Sequence, residues 1–229
     1  VVCMGASSDI IVKTAAMGKR IGIGTRPALL IIDMQIYMLG DKREPIEQSI
    51  KSYPSSCGER AWVAADHIAQ LIRNFRVLGF PVIYTQQTLK ANGENAGPYK
   101  AKREFLYGSQ NWLIEETHGW EIAPILTPAP EDTVIKKTRP SAFFKTNLYE
   151  MLRQKQIDTL IVTGGSTSTC VRATVFDSAS YDFRTVVASD GVCDRLNQSH
   201  EVNLRDMDRQ MADVMTTKEI INALQKLNK

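Results

Sequence analysis

One cysteine of this sequence lies where a thiol can act as a nucleophile. Residues 159–163 form a short, β-branched apolar run typical of a buried strand, and Gly164-Gly165 with the Ser/Thr cluster after it indicate a turn and a helix cap. A helical pattern begins near Thr169, so Cys170 falls in the first turn of a helix that leaves a strand. The N–H groups and the dipole of a helix start stabilise a thiolate and a developing oxyanion. A buried structural cysteine in a glycine-rich turn would give the same pattern.

A carboxylate and a lysine also end predicted strands. The apolar run over residues 28–32 stops abruptly at Asp33, and a shorter strand pattern ends in Lys136 and Lys137. Because the carboxyl ends of parallel strands share one edge of a sheet, the aspartate, one of these lysines and the cysteine are predicted to meet there. By composition alone Lys136 is as good a candidate as Lys137. A turn aspartate and a solvated strand-end lysine would explain each residue singly.

A carboxylate, an amine and a thiol at one rim form a plausible amidase triad. Asp33 would take the thiol proton and later deliver it to the leaving amine. Lys137 would favour the ionised form of Cys170 and hold the Asp33 carboxylate in place. These roles predict hydrolysis of an amide bond.

The rest of the chain alternates strands with helices. Strands are predicted over residues 28–35, 81–85, 132–137, 159–163 and 183–188, and helices over residues 61–78, 147–154, 169–181, 199–210 and 217–227. Residues 40–58 are predicted to be a loop, and the excursion over residues 86–120 is long enough for a lid or a subunit contact. This alternation predicts an α/β fold with a doubly wound parallel sheet.

Length and composition narrow the functional class. The 229 residues suit one domain, predicted as residues 25–229 behind an arm of residues 1–24, and such arms often contact a neighbouring subunit. A net charge of +3 without a basic run argues against nucleic-acid binding. No apolar stretch approaches the ~18 residues of a membrane span. The four cysteines are scattered, without a CxxC pair, which favours the reducing cytoplasm.

Three spaced motifs resemble those of the isochorismatase-like cysteine hydrolases. Residues 30–35 resemble the first motif of that family, and Lys137, four residues before Ser141, resembles its lysine motif. Residues 165–174, which contain Cys170, are similar to its nucleophile motif. The resemblance selects Lys137 over Lys136. Within the family, the branch of N-carbamoylsarcosine amidase and maleamate amidase is the most similar, on the stretches 26–30, 183–184, 194–195 and 200–204.

This resemblance implies a structure as well as a site. It implies a three-layer α/β/α fold around a six-stranded parallel sheet, and a non-proline cis peptide between Gly165 and Ser166. The N–H groups of Ser166 and Cys170 would then form the oxyanion hole. Arg195 would hold a substrate carboxylate, unless it only forms a salt bridge with a nearby aspartate. The Thr167 hydroxyl would contact substrate or brace the loop.

The implied activity is hydrolysis of a linear C–N bond in a small carboxylated amide or N-carbamoyl amino acid, with release of ammonia. No cofactor is implied, and no metal site is predicted because the three histidines do not form the Asp-x-His motif of the nicotinamidases. Cys170 argues against true isochorismatases, which lack the cysteine. The family habit predicts a homodimer or homotetramer. The alternatives are a maleamate-type half-amide hydrolase, a non-catalytic binding or scaffold protein, and a redox protein in which Cys193 resolves Cys170.

Overall fold

The computed structural model describes residues 18–227, which form one parallel sheet with helices on both faces. The strands are β1 (Pro27–Ile32), β2 (Val82–Gln87), β3 (Thr133–Lys137), β4 (Thr159–Gly165), β5 (Arg184–Cys193) and β6 (Asp213–Met215). The α-helices are α1 (Ile36–Leu39), α2 (Ile46–Ser52), α3 (Glu59–Val77), α4 (Tyr99–Lys102), α5 (Leu148–Gln154), α6 (Arg172–Ser180), α7 (Asn197–Gln210) and α8 (Thr217–Leu227). A π-helical turn, Thr167–Val171, leads into α6.

The strand order is β3-β2-β1-β4-β5-β6, and every pairing is parallel. The chain winds outward from β1 through β2 to β3, and then outward in the other direction from β4 to β6. A crevice forms outside the carboxyl ends of the strands where the winding reverses, between β1 and β4. The predicted doubly wound, six-stranded α/β/α fold is confirmed.

The central strand β1 explains the continuous apolar run in the sequence, because all six of its residues are buried. Alternate side chains of a strand point to opposite faces of the sheet. Leu29 and Ile31 pack in the layer that contains α3 and α8, whereas Leu30 and Ile32 pack in the layer of α5, α6 and α7. Both faces of the sheet are therefore covered, and the polar residues that follow the strands sit at the rim of two hydrophobic layers.

The structure departs from the predicted elements at several places, and three of these have a clear physical reason. Residues 46–52 of the predicted loop form α2, whose only buried residue is Ser49, so no apolar stripe marked it as a helix. β6 has three residues, too few for a readable periodicity, and it is held at the sheet edge by β5. β5 runs on to Cys193 because pairing with β4 resumes after a register shift, with Cys193 opposite Gly165.

Part of the predicted N-terminal arm packs on its own domain. The N–H groups of Ile21 and Gly22 donate to the Asp213 carboxylate at the start of β6, with the shorter contact at 2.6 Å. The Gly24 N–H donates to the Thr159 hydroxyl at the start of β4 at 2.8 Å. Residues 1–17 of the arm lie outside the described residues, and a contact between the arm and another subunit stays a prediction.

Candidate active site

Asp33 and Lys137 form a buried ion pair. Lys137 Nζ lies 2.6 Å from Asp33 Oδ2, and both side chains are fully shielded from solvent. Lys137 Nζ also donates a hydrogen bond to the Arg139 carbonyl at 3.0 Å. Cys170 is buried in the same hydrophobic layer as Ile32 of β1 and Ile135 of β3, and the charges of Asp33 and Lys137 both act on its pKa. The structure thus brings together the three residues predicted to form a triad.

The topology explains how residues so distant in sequence meet. Asp33 follows β1, and Cys170 follows the neighbouring strand β4. Lys137 ends β3, which is separated from β1 by β2, a distance of two strand spacings of about 4.8 Å each. The four-carbon stem of lysine can cover much of this distance. Lys136, one residue earlier, is exposed on the opposite face of β3 and is excluded from the site.

Thr85 fixes the position of the Asp33 carboxylate. Asp33 has φ = +49°, a left-handed conformation that costs a non-glycine residue on the order of 1–3 kcal/mol and is kept only where surrounding contacts enforce it. The Thr85 hydroxyl donates to Asp33 Oδ1 at 2.7 Å, and the Asp33 N–H donates to the Thr85 carbonyl at 3.2 Å. One carboxylate oxygen therefore faces Thr85, and the other faces Lys137.

Burial dominates the electrostatics of Cys170. Desolvation raises the pKa of the thiol to about 12, although Lys137 lowers it, and Asp33 adds to the increase. Burial also opposes the charge of Lys137, but the attraction of the Asp33 carboxylate, with a smaller contribution from Cys170, outweighs burial and raises the pKa of the ammonium above its ordinary value. The resting site therefore holds a neutral thiol beside a charged lysine. The sequence favoured an ionised thiol because burial could not be read from it.

Gln87 is a site residue that the sequence pattern did not predict. The Cys170 thiol donates a hydrogen bond to Gln87 Oε1, with a sulfur–oxygen distance of 3.6 Å. Gln35 holds this residue in place, since its Oε1 accepts from the Gln87 N–H at 2.9 Å and its Nε2 donates to the Gln87 carbonyl at 3.2 Å. The predicted strand stopped at residue 85, whereas β2 continues to Gln87, in register with Lys137. A polar residue at the end of that strand was the sequence feature that could have identified Gln87 as a site residue.

A cavity of about 40 Å³ borders Cys170. It is lined by Tyr37, Ser55, Gln87, Tyr99, Arg103, Trp112, Leu113, Ser166, Thr169, Cys170 and Arg195. Four of these residues, Tyr99, Arg103, Trp112 and Leu113, lie in the segment over residues 88–120 beyond β2, which therefore covers the site.

Ser166 and Arg195 reach the cavity as the resemblance implied. The peptide between Gly165 and Ser166 is cis. Within residues 18–227, the Ser166 N–H has no hydrogen-bond acceptor, whereas its carbonyl accepts from the N–H groups of Thr169 and Val171. The Arg195 guanidinium donates to a backbone carbonyl at residue 55.

Thr167 does not reach the cavity, in contrast to the predicted substrate contact. It is fully buried, and its hydroxyl donates to the Cys193 carbonyl at 3.1 Å. The same hydroxyl shares a hydrogen bond of 2.9 Å with His200 Nδ1. Thr167 therefore braces the turn before Cys170, which was the alternative role considered for it.

Comparison with known proteins identifies the family. Residues 27–219 match the isochorismatase domain. The chain belongs to the isochorismatase family. The N-carbamoylsarcosine amidase of Arthrobacter sp. is 30% identical over 209 residues, which are 91% of this chain and 75% of that protein. The maleamate amidohydrolase of Pseudomonas putida is 29% identical over 212 residues, 92% of each chain.

A solved structure gives the same assignment. The isochorismatase family protein from Desulfovibrio vulgaris superposes with a TM-score of 0.74 at 31% identity, over 87% of this chain and 98% of that one. The resemblance predicted from the three sequence motifs is therefore confirmed, and the protein is a hydrolase of the isochorismatase family.

In this isochorismatase-family protein, Asp194 ties the turn that carries Cys170 to the end of β5. The N–H and the hydroxyl of Ser168 donate to Asp194 Oδ2 at 2.8 and 2.7 Å. The Arg195 N–H donates to Asp194 Oδ1 at 2.8 Å. One buried carboxylate thus fixes both the turn before Cys170 and the backbone of the arginine at the cavity. Its position directly after a strand was the only feature of the sequence that could have indicated this role of Asp194.

Residues 18–227 contain no group of three or more His, Cys, Asp or Glu side chains arranged to hold a metal ion. In the same range, no helix is long and apolar enough to cross a membrane. Another cavity, of about 570 Å³, is lined by Cys57, Cys193 and Asp194 among others. Asp33, Lys137 and Cys170 do not line that cavity.

Proposed function

We propose that this protein is a cysteine-dependent amidohydrolase that cleaves a linear C–N bond of a small carboxylated substrate and releases ammonia. The substrate is an amide or an N-carbamoyl amino acid such as N-carbamoylsarcosine. The observation that carries the proposal is the thiol of Cys170 beside the buried Asp33–Lys137 pair, at the wall of a cavity. The relative named N-carbamoylsarcosine amidase, 30% identical to this chain, supports the choice of substrate.

Attack by Cys170 requires removal of its proton at the moment of reaction, because the pKa of about 12 leaves the resting thiol neutral. Asp33 accepts that proton as the sulfur adds to the substrate carbonyl carbon. Lys137 stays charged and stabilises the negative charge of the thiolate as it forms. The protonated Asp33 then delivers the proton to the leaving nitrogen, which departs as ammonia. Water activated by Asp33 hydrolyses the thioester-type intermediate and restores the thiol.

Charge on the substrate oxygen needs donors at the cavity wall. The Ser166 N–H lies there without a protein acceptor among the described residues, and we assign it and the Cys170 N–H to the oxyanion hole. Loss of one such donor costs about 3 kcal/mol of transition-state stabilisation in comparable hydrolases.

Arg195 is assigned to the substrate carboxylate. A guanidinium binds a carboxylate with two parallel hydrogen bonds, which selects acids over neutral amides. Tyr99 and Arg103 cover the narrow cavity from the segment beyond β2, and we propose that they move outward to admit the substrate. Such movement of a covering loop is common in enzymes that exclude water during reaction.

The test is release of ammonia from a panel of N-carbamoyl amino acids and half-amides. Cys170→Ala should abolish release from every substrate while the thermal unfolding transition is retained. Arg195→Ala should raise the KM for acidic substrates far more than for neutral amides of the same length. Normal turnover by soluble Cys170→Ala would refute the nucleophile, and an equal rise in KM for both classes would remove the role of Arg195.

A half-amide substrate is the second candidate. It is supported by the relative named maleamate amidohydrolase, which matches this chain over 92% of the length of both proteins. The same panel separates the two candidates, since the preferred substrate is the one with the higher kcat/KM. A non-catalytic member of the family would release no ammonia from any member of the panel.

A further inference from the structure

The hydrogen of the resting Cys170 thiol points to a glutamine and not to the aspartate proposed to accept it. Cys170 Sγ donates to Gln87 Oε1 across 3.6 Å. A thiol has one hydrogen, so it cannot donate to Asp33 at the same time. Beyond its ion pair with Lys137, Asp33 Oδ2 has no hydrogen-bond partner among residues 18–227. The thiol hydrogen must therefore leave Gln87 before Asp33 can take it.

The backbone of Gln87 is held from both sides, and its side chain is 4% exposed. On one side the fully buried Gln35 side chain accepts from the Gln87 N–H at 2.9 Å and donates to the Gln87 carbonyl at 3.2 Å. On the other side Gln87 lies in register with Lys137 of β3, and the next N–H, of Thr88, donates to the Lys137 carbonyl at 2.8 Å. Gln87 therefore presents its amide to the cavity from a fixed backbone.

Strand β2 positions both the proposed acid and the amide of Gln87. Thr85 and Gln87 are two positions apart, so their side chains project from the same face of the strand. The Thr85 hydroxyl donates to Asp33 Oδ1 at 2.7 Å. The N–H groups assigned to the oxyanion hole, those of Ser166 and Cys170, follow β4 on the other side of β1. A substrate carbonyl whose oxygen points toward those donors turns its other two substituents away from them, in the direction of β2.

We propose that Gln87 Oε1 accepts a hydrogen bond from the substrate nitrogen that leaves as ammonia, and so selects amides and carbamoyl groups over esters. This inference rests on the proposed function. An amide N–H is a stronger donor than a thiol, so it takes the place of the thiol hydrogen on Gln87. The displaced S–H rotates about the Cβ–Sγ bond toward Asp33, and no covalent bond changes in this exchange. The thiol proton thus reaches its acceptor only when an amide occupies the cavity.

The specificity is tested with Gln87→Met, which keeps the length of the side chain and removes its amide oxygen. The substrates are the preferred amide or carbamoyl substrate and the methyl ester of the same acyl group, whose leaving oxygen carries no hydrogen. The variant should lower kcat/KM for the amide by about 10- to 100-fold, because a substrate N–H is left without an acceptor, and should change the ester far less. A general distortion of the site would lower both values by the same factor.

The matched control is Gln86→Met, at the neighbouring position of β2. Gln86 is similarly buried, donates to the Trp120 carbonyl at 2.9 Å and does not line the cavity, so its loss should affect amide and ester equally. Gln87→Leu replaces Gln87→Met if the latter does not fold, and an inhibition constant replaces kcat/KM if the ester is not turned over. Equal effects on amide and ester in the Gln87 variant overturn this inference alone. A wild type that releases no ammonia from any substrate overturns the proposed function as well.

The resting hydrogen bond is tested without turnover, by Raman difference spectroscopy of the S–H stretching band. Subtraction of the Cys170→Ser spectrum isolates the band of Cys170 from those of the other cysteines. Because a hydrogen bond to oxygen weakens the S–H bond, the band should lie at a lower frequency than that of an alkanethiol in an inert solvent. Gln87→Met should raise this frequency, and Gln86→Met should not. A wild-type band at the free-thiol frequency, or one that Gln87→Met leaves in place, overturns the exchange at Gln87.

Discussion

Replacing Asp33 with asparagine should make the Cys170 thiol more reactive while abolishing turnover. Asp33 raises the pKa of Cys170 through its charge, whereas Lys137 lowers it. Asparagine keeps the shape of the side chain and removes its charge. The variant therefore loses the proposed proton acceptor and, at the same time, one of the groups that keep the sulfur protonated.

The size of the effect follows from Coulomb's law. A unit charge ~4 Å from the sulfur contributes about 4 kcal/mol at an effective dielectric constant of ~20. That energy corresponds to about a thousandfold in the thiolate population, at 1.36 kcal/mol per tenfold. Nucleophilicity falls as the pKa falls, with a Brønsted coefficient of ~0.5, which removes about half of this gain on a logarithmic scale. We expect alkylation of the Asp33→Asn thiol to be about 10 to 30 times faster than that of the wild type.

The assay is the rate of carbamidomethylation of Cys170 by iodoacetamide, followed by mass spectrometry of its peptide. In the wild type the rate should rise tenfold per pH unit between about pH 7 and 10 without a plateau, because the pKa is about 12. Asp66→Asn, at an exposed carboxylate paired with Arg43, is the matched control and should alkylate as the wild type does. A slower reaction in Asp33→Asn, or a wild-type plateau below about pH 9, would refute the electrostatic account.

Three further predictions concern the same site. Lys137→Met should lower the free energy of unfolding by about 3–5 kcal/mol in urea titrations, because it leaves a fully buried carboxylate without its partner. Because folding raises the pKa of Cys170, the unfolded chain loses this proton first, and the free energy of unfolding should fall as the pH rises above about 9. Cys170→Ser should reduce the slope of the free energy of unfolding against pH by up to about 1.4 kcal/mol per pH unit, as measured by denaturation at a series of pH values. Dialysis against EDTA should leave ammonia release unchanged, and a loss restored by a divalent metal would contradict the metal-free mechanism.

The charged residues of the site could be predicted from the sequence because each of them ends an apolar pattern. Asp33 ends a run that is buried on both faces of the sheet, and Lys137 ends a strand whose alternate residues are buried. Gln87 carries no charge, and the strand predicted from the sequence ends at residue 85, two residues before it. The choice between Lys136 and Lys137 needed a family resemblance, although the structure explains it by the face of β3 on which each lies.

Properties that arise from contacts between distant segments could not be predicted from the sequence. The neutral state of Cys170 depends on its burial, whereas the sequence showed only its place at a helix start. The bracing role of Thr167 depends on its burial against β5. The predicted oligomer and the cytoplasmic location stay predictions.

The ion pair between Asp33 and Lys137 also limits how this protein can change over evolutionary time. Mutation of either residue alone leaves the opposite charge buried and unpaired between the hydrophobic layers. A descendant that loses catalytic activity by such a mutation should therefore also lose stability. Descendants that persist without activity should therefore have exchanged both positions together, or have lost Cys170 and kept the pair. Which residues change first in inactive descendants is thus set by folding as much as by catalysis.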